Sequence, residues 1–183
     1  MSAEELIQIF YSGGNERRVD LQIILDIQYM LESKLLFHSA HLLAKKEVYY
    51  SYIDKLRSGE IKVFDVDGGG IGHMALKCMS IELLEQITSS KCQIENEFAG
   101  YRPDIITSDR TVIVECGTVN PQKITAYLKN VSVQKLYIIP YPDEDAGDIY
   151  YHTFLPSSEF SEFIEFAEQA NLDKLKKIQK KQA

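Results

Sequence analysis

Tyr101-Arg102-Pro103-Asp104-Ile105-Ile106 and Val112-Ile113-Val114-Glu115-Cys116-Gly117 are two apolar, β-branched runs, each carrying one acid. Between them Ser108-Asp109-Arg110 supplies turn chemistry, so the pair predicts a β-hairpin. Asp104 and Glu115 lie toward the ends away from that turn, where they can converge. Asp104 shares a face with Arg102 and Ile106, and Glu115 shares one with Ile113. Two carboxylates within ~4–6 Å of each other stay ionised only with a cation between them. A hard divalent ion, Mg²⁺ or Mn²⁺, suits such oxygen ligands and leaves room for a phosphate oxygen.

Working outward, Ile71–Ile87 carries Ile71, Ala75, Met79 and Leu83 at helical spacing. Cys92 to Phe98 alternates apolar and polar residues and predicts a strand with one wet face, from which Glu95 or Glu97 could join the acids. Asn120-Pro121 opens a helix running to Asn130, with Pro121 where its missing N–H does no harm. Lys135–Pro140 and Ile149–Leu155 predict two further strands. A last helix starts near Ser157 with Phe160, Phe163, Ile164 and Ala167 on one side. From Gly70 onward the expected order is α-β-β-β-α-β-β-α.

The first sixty residues read as helical. Ser2 caps a helix over Ala3–Tyr11, which Gly13-Gly14 ends. From Val19 the residues Ile23, Ile27, Met30, Leu31, Leu35 and Leu42 keep a helical period, and Lys45–Leu56 continues it until Ser58-Gly59. On such a helix His38 and His41 stand one turn apart as surface residues. Ile61–Val66 reads as a short strand and Asp67–Gly70 as a turn. The expected organisation is a helical segment, residues 1–60, before an α/β domain, residues 61–183. That domain is expected to hold a central mixed sheet of about 4–5 strands flanked by helices.

The chain has 183 residues, 45% hydrophobic and 26% charged, enough for one good core. No apolar run approaches the ~20 residues of a membrane span, and the polar start is no signal peptide, so a cytoplasmic setting is expected. A net charge of -7 argues against a protein that coats long DNA, since phosphate neutralisation supplies most non-specific affinity. The lysines from Lys174 to Lys181 read as the solvated end of the last helix, where they suit its dipole. The Tyr and Phe content of both end helices allows a homodimer.

Pro103-Asp104, ten residues, then Glu115-x-Gly117 resembles the PD-(D/E)XK nuclease superfamily, whose core reads αβββαβ. Gly70-Ile71-Gly72-His73 resembles the first motif of the RecB-like branch, where a histidine joins the metal shell. In that branch the helix after the acidic strand carries a glutamine four residues before a tyrosine. Here Lys123 stands four before Tyr127, with Gln122 beside it. The resemblance covers about Gly68 to Pro140. It implies a metal-dependent nuclease cleaving phosphodiester bonds, with Asp104, Glu115 and His73 holding the metal and Arg102, Gln122 and Tyr127 contacting nucleic acid, DNA above all.

The superfamily lysine two places after the glutamate is Gly117 here. Lys123, in the first turn of the next helix, is the expected replacement, and Lys77 is the second candidate. If neither reaches the site, the expectation becomes a non-catalytic member of the fold, acting in nucleic-acid binding or assembly. Gly70-x-Gly72-x-x-Ala75 also has the form of a dinucleotide fingerprint. The tight turn between the following strands argues against it, because parallel strands need helical crossovers.

Overall fold

The hairpin forms as its sequence indicates, and an aspartate holds its turn. In the computed structural model, which describes residues 1–13, 19–62, 69–143 and 147–182 (residues 173–182 as backbone alone), β3 spans Ile105–Thr107 and β4 spans Val112–Cys116. Asp109 Oδ1 accepts from Thr107 Oγ1 at 2.6 Å and from Thr111 N at 3.1 Å. Hydrogen bonds from Ser90 and Thr107 hold the Asp109 carboxyl well below its ordinary pKa. Arg110 takes φ 59° at the tip, the left-handed step that reverses the chain.

The remaining elements are α1 (Ala3–Phe10), α2 (Leu21–Glu32), β1 (Leu36–Lys45), α3 (Lys46–Arg57), α4 (Gly70–Ile87), β2 (Cys92–Ile94), α5 (Gln122–Leu128), β5 (Lys135–Ile139), β6 (Asp148–Pro156) and α6 (Phe160–Gln182). Among the described residues six strands make one mixed sheet in the order β1-β6-β5-β4-β3-β2. The strands β2, β3 and β4 form an antiparallel meander, and β5 pairs parallel to β4 across the α5 crossover. The order α4-β2-β3-β4-α5-β5 is αβββαβ, and the strands that follow α4 form an antiparallel meander, whereas successive parallel strands joined by helical crossovers would mark a dinucleotide fold.

Alternation along the strands divides the interior in two. On one face Ile106, Ile113, Leu136, Ile138 and Phe154 pack with Leu6 and Phe10 of α1, Ile24 and Ile27 of α2, Ile124 and Tyr127 of α5, and Phe160 of α6. On the other face Ile105, Val112, Val114, Cys116 and Ile139 meet Tyr49 and Ile53 of α3 and Ala75, Leu76 and Met79 of α4. Burial of this apolar surface, at roughly 25 cal/mol per Å², is the main force joining the layers.

Two sequence expectations fail in the first sixty residues. Leu36–Lys45 is a strand, not helix, so the sheet has six strands rather than four or five. The helix stops because Lys34 takes φ 62°, with Lys34 N donating to Leu31 O and Leu35 N to Met30 O. That is the Schellman stop, and its usual signal, Gly or Asn, is missing here. β1 then pairs antiparallel to β6, from Leu36↔Pro156 to Lys45↔Asp148, along the sheet edge. His38 and His41 therefore belong to a strand and not to a helix surface, and residues 1–60 share their sheet and core with the rest of the chain.

The expected strand at Cys92–Phe98 is also shorter, ending at Ile94, because Glu95 turns to φ 52°. Most of the expected strand Ile61–Val66 and part of the turn Asp67–Gly70 lie outside the described residues, as do the side chains of the Lys174–Lys181 run. Among the described residues no helix is long and apolar enough to cross a membrane.

Candidate functional site at the end of the hairpin

One ladder step beyond the Ile105↔Val114 pair lie Asp104 and Glu115. The hairpin register, set by the turn and the apolar alternation, thus brings the two acids together at one end of the sheet. Their partners come from opposite layers.

Asp104 is held from the α4 side. Its Oδ1 lies 2.9 Å from His73 Nε2 and 3.4 Å from Lys77 Nζ, while its Oδ2 accepts from Cys116 N at 2.7 Å. Burial works to raise the Asp104 pKa. The hydrogen bond and charge of His73, the Cys116 N–H and the Lys77 charge outweigh it and leave the group below its ordinary value. Lys77 is itself 1% exposed, and its ammonium also pairs with Glu95. A buried ammonium needs such partners, so the His73–Lys77 face of α4 is a polar cluster inside an apolar layer. His73 fits at the helix start because Gly69 has no side chain; a Cβ there would overlap the imidazole.

Glu115 is held from the α5 side. Oε2 accepts from Lys123 Nζ at 2.7 Å, and Oε1 accepts from Tyr127 OH at 2.8 Å. Glu115 is 2% exposed. Burial, then the charge of Asp104, push its pKa up to about 7, with Lys123 and Tyr127 opposing. The two helix residues are four apart and so face the strand together. Lys123 Nζ also lies 3.5 Å from Arg102 O.

The structure brings Asp104, His73, Lys77, Glu115 and Lys123 into one cluster and adds Glu95 to it. Tyr127 is fully buried, its ring packed on Phe98 and Tyr101, so it holds Glu115 from inside the core and presents no surface for nucleic acid. Arg102 and Gln122 are exposed at the rim, where Gln122 Oε1 lies 3.5 Å from Tyr101 OH.

Sequence reasoning missed Tyr141. Gly117 has φ 71°, and a Cβ placed on it would lie 2.5 Å from Tyr141 Cε2 and 3.0 Å from its hydroxyl. The same ring lies 2.6 Å from a Cβ built on Gly13. Tyr141 N donates to Ser12 Oγ at 2.9 Å, and Ser12 Oγ donates to Gly117 O at 3.2 Å. The ring fills the space into which a side chain at 117 would project from this backbone. No short spacing links positions 13, 117 and 141, so only a left-handed glycine after a strand could have hinted at it.

Asp104 and Glu115 thus stand as neighbouring oxygen donors, and burial with the Asp104 charge destabilises Glu115 as an anion. Among the described residues no three His, Cys, Asp or Glu side chains form a ready-made metal cluster. No family model matches the chain, and neither does any curated protein or solved structure.

Proposed function

We propose that the chain is a metal-dependent nuclease that hydrolyses phosphodiester bonds at the Asp104–Glu115 end of the hairpin. The observation carrying this reading is the 2.7 Å contact of Lys123 Nζ with Glu115 Oε2, which puts an ammonium beside the second acid although position 117 is glycine. The αβββαβ order around the pair supports it as the PD-(D/E)XK arrangement with a relocated lysine.

The donor set fits a divalent cation: two carboxylates, one whose ionisation burial and its neighbour's charge disfavour, a deficit that a cation relieves. Asp104 and Glu115 would hold Mg²⁺ or Mn²⁺, with His73 beside them; when bound, the ion polarises the phosphate and acidifies water. In this reading Lys123 Nζ orients the attacking water and offsets charge on the phosphate oxygens. Tyr127 fixes Glu115, while His73 and Cys116 N fix Asp104, so both acids meet the substrate pre-oriented. Lys77 neutralises Glu95 and Asp104 from the interior.

The test is cleavage of single- and double-stranded DNA and RNA in Mg²⁺ or Mn²⁺. Asp104→Ala and Glu115→Ala should each abolish cutting while circular dichroism stays native. No cleavage by the wild-type chain in either metal ends the catalytic reading.

One observation favours a second reading, a non-catalytic nuclease-fold protein that binds nucleic acid or assembles on it. Every oxygen of the two carboxylates already accepts from a protein donor, a closed network that needs no ion. Calorimetric titration with Mn²⁺ separates the two: binding lost in Asp104→Ala supports the nuclease, and no binding supports the alternative.

A further inference from the structure

Where β1 meets β6 at the sheet edge, two imidazoles touch. The antiparallel register pairs His38 with Phe154 and Ala40 with His152, so the histidines are diagonal neighbours on the face that carries Leu36 and Phe154. His38 Nε2 and His152 Nδ1 are 3.0 Å apart, and the rings lie within 22° of parallel with centroids 5.3 Å apart. Along β6 that face emerges from the core: Phe154 is fully buried, His152 half-buried and Tyr150 45% exposed. Ala40, directly opposite His152, is exposed and puts only a methyl group beside the pair, which leaves it an open side.

The pair has the chemistry of a metal ligand set. Burial holds both groups below the ordinary histidine pKa, His152 at about 4, so both are neutral at pH 7, the form in which imidazole nitrogen ligates. The Met1 ammonium and His41 press His38 the same way, and Glu5 of α1 opposes them. For metal–nitrogen bonds of ~2.0–2.1 Å, two ligands at a right angle stand about 2.8–3.0 Å apart, the spacing already present here. One ring now donates to the other; moving that proton to the second nitrogen of its own ring frees both lone pairs with no change of charge. A turn of each ring about χ2, whose preferences are broad, aims them at one point. A hard ion such as Mg²⁺ gains little from imidazole, whereas Zn²⁺, Ni²⁺ and Cu²⁺ bind it well.

We propose that His38 and His152 form a transition-metal site, in which one divalent ion bridges the edge strand β1 to β6 and water fills its other positions. The right-angle spacing suits the tetragonal geometry of Ni²⁺ or Cu²⁺. The site lies across β5 from the Asp104–Glu115 pair and does not depend on the nuclease reading. Its effect is structural. β1 ends the sheet among the described residues, and an ion held by both strands binds the folded state alone, which stabilises their pairing.

The experiment titrates tag-free protein with Ni²⁺ by calorimetry, for wild type, His38→Gln, His152→Gln and Asp104→Ala, each checked for a native circular dichroism spectrum in EDTA. Wild type and Asp104→Ala should bind an ion that each histidine variant binds at least ~10-fold more weakly, a gap of about 1.4 kcal/mol. Ni²⁺ at about 100 times its Kd should raise the wild-type Tm by ~5 °C or more beyond any shift in the histidine variants. With less than one equivalent of Cu²⁺, the electron paramagnetic resonance spectrum of wild type should show coupling to two imidazole nitrogens, and each histidine variant should lose that pattern.

Folded histidine variants that match wild type in Ni²⁺ affinity overturn the site even if the enzyme cuts. Binding lost in Asp104→Ala alone overturns it too and assigns the ion to the hairpin acids. No binding of Ni²⁺ or Cu²⁺ by wild type rejects the site. Should a histidine variant fail to fold, the wild-type Cu²⁺ spectrum decides: two nitrogen couplings keep the site, and one or none rejects it.

Discussion

Asp104 and Glu115 face each other across one rung of the hairpin, yet their surroundings push them in opposite directions. Asp104 reaches toward α4, where His73, Lys77 and the Cys116 N–H outweigh burial and keep it an anion. Glu115 sits under α5, where Lys123 and Tyr127 do not fully offset burial and the charge of Asp104. Two acids with separated ionisation are the usual means of holding one group charged and another adjustable at neutral pH. The difference comes from the two helices and from the Cys116 N–H of β4, which serves Asp104.

The sharpest way to break this asymmetry is to remove the lysine of the Glu115 side. Lys123→Ala should lower the cleavage rate by ~10²-fold or more if the ammonium acts electrostatically on the phosphate. Unchanged single-turnover kinetics would reject that role. Tyr127→Phe leaves the shape of the core and deletes one donor to a buried carboxyl. It should cost about 1–3 kcal/mol of stability by urea unfolding, and a smaller loss would mean that Glu115 is neutral at the assay pH.

Gly117→Ala tests whether the vacant motif position is closed by Tyr141. With φ 71° and the ring in contact, it should destabilise by more than ~1 kcal/mol. The double variant with Tyr141→Ala should recover part of that loss, whereas strict additivity in a double-mutant cycle would deny the contact.

A separate test is a dependence on pH. Because the folded Glu115 pKa is raised from 4.5 to about 7, the metal-free folded state holds a proton that the unfolded chain releases. Its contribution is full below about 4.5 and is lost as pH rises through about 7. Asp104 has the opposite sign, contributing above its ordinary pKa and losing that contribution as acid reaches its lowered folded value. Across the same window His152, whose pKa burial lowers from 6.5 to about 4, contributes with the opposite sign, so the test is the difference between proteins: the denaturant midpoint of Glu115→Gln should rise more with pH between 4.5 and 7.5 than that of wild type. Parallel pH profiles for the two proteins would deny the raised Glu115 pKa.

Two helix stops show why some of this fold could be read and some could not. At the end of α3, Gly59 takes φ 75°, with Gly59 N donating to Leu56 O and Glu60 N to Lys55 O. The glycine announces that stop. At the end of α2 the same hydrogen bonds form around Lys34, a residue that pays for a left-handed backbone and carries no such signal. Leu35, just before β1, and Leu42 within it keep a helical spacing by coincidence, and β6 recruits the strand. In the candidate site, Lys123 was legible because it stands four residues before a tyrosine on one helix face. Tyr141 was not, since its neighbours, Gly13 and Gly117, are remote in the chain.

The sequence alone determined the hairpin, the rung on which its two acids meet, the αβββαβ order from Gly70 to Ile139, and the helix that returns Lys123. Period, turn chemistry and register are local, and each residue reports them through its near neighbours. Tertiary structure alone decided that β1 joins the sheet, that Tyr141 fills the place beside Gly117, and that Asp104 and Glu115 meet opposite layers. Those outcomes depend on which distant surfaces pack together, and edge pairing and burial outweigh the weak local preferences of the segments involved.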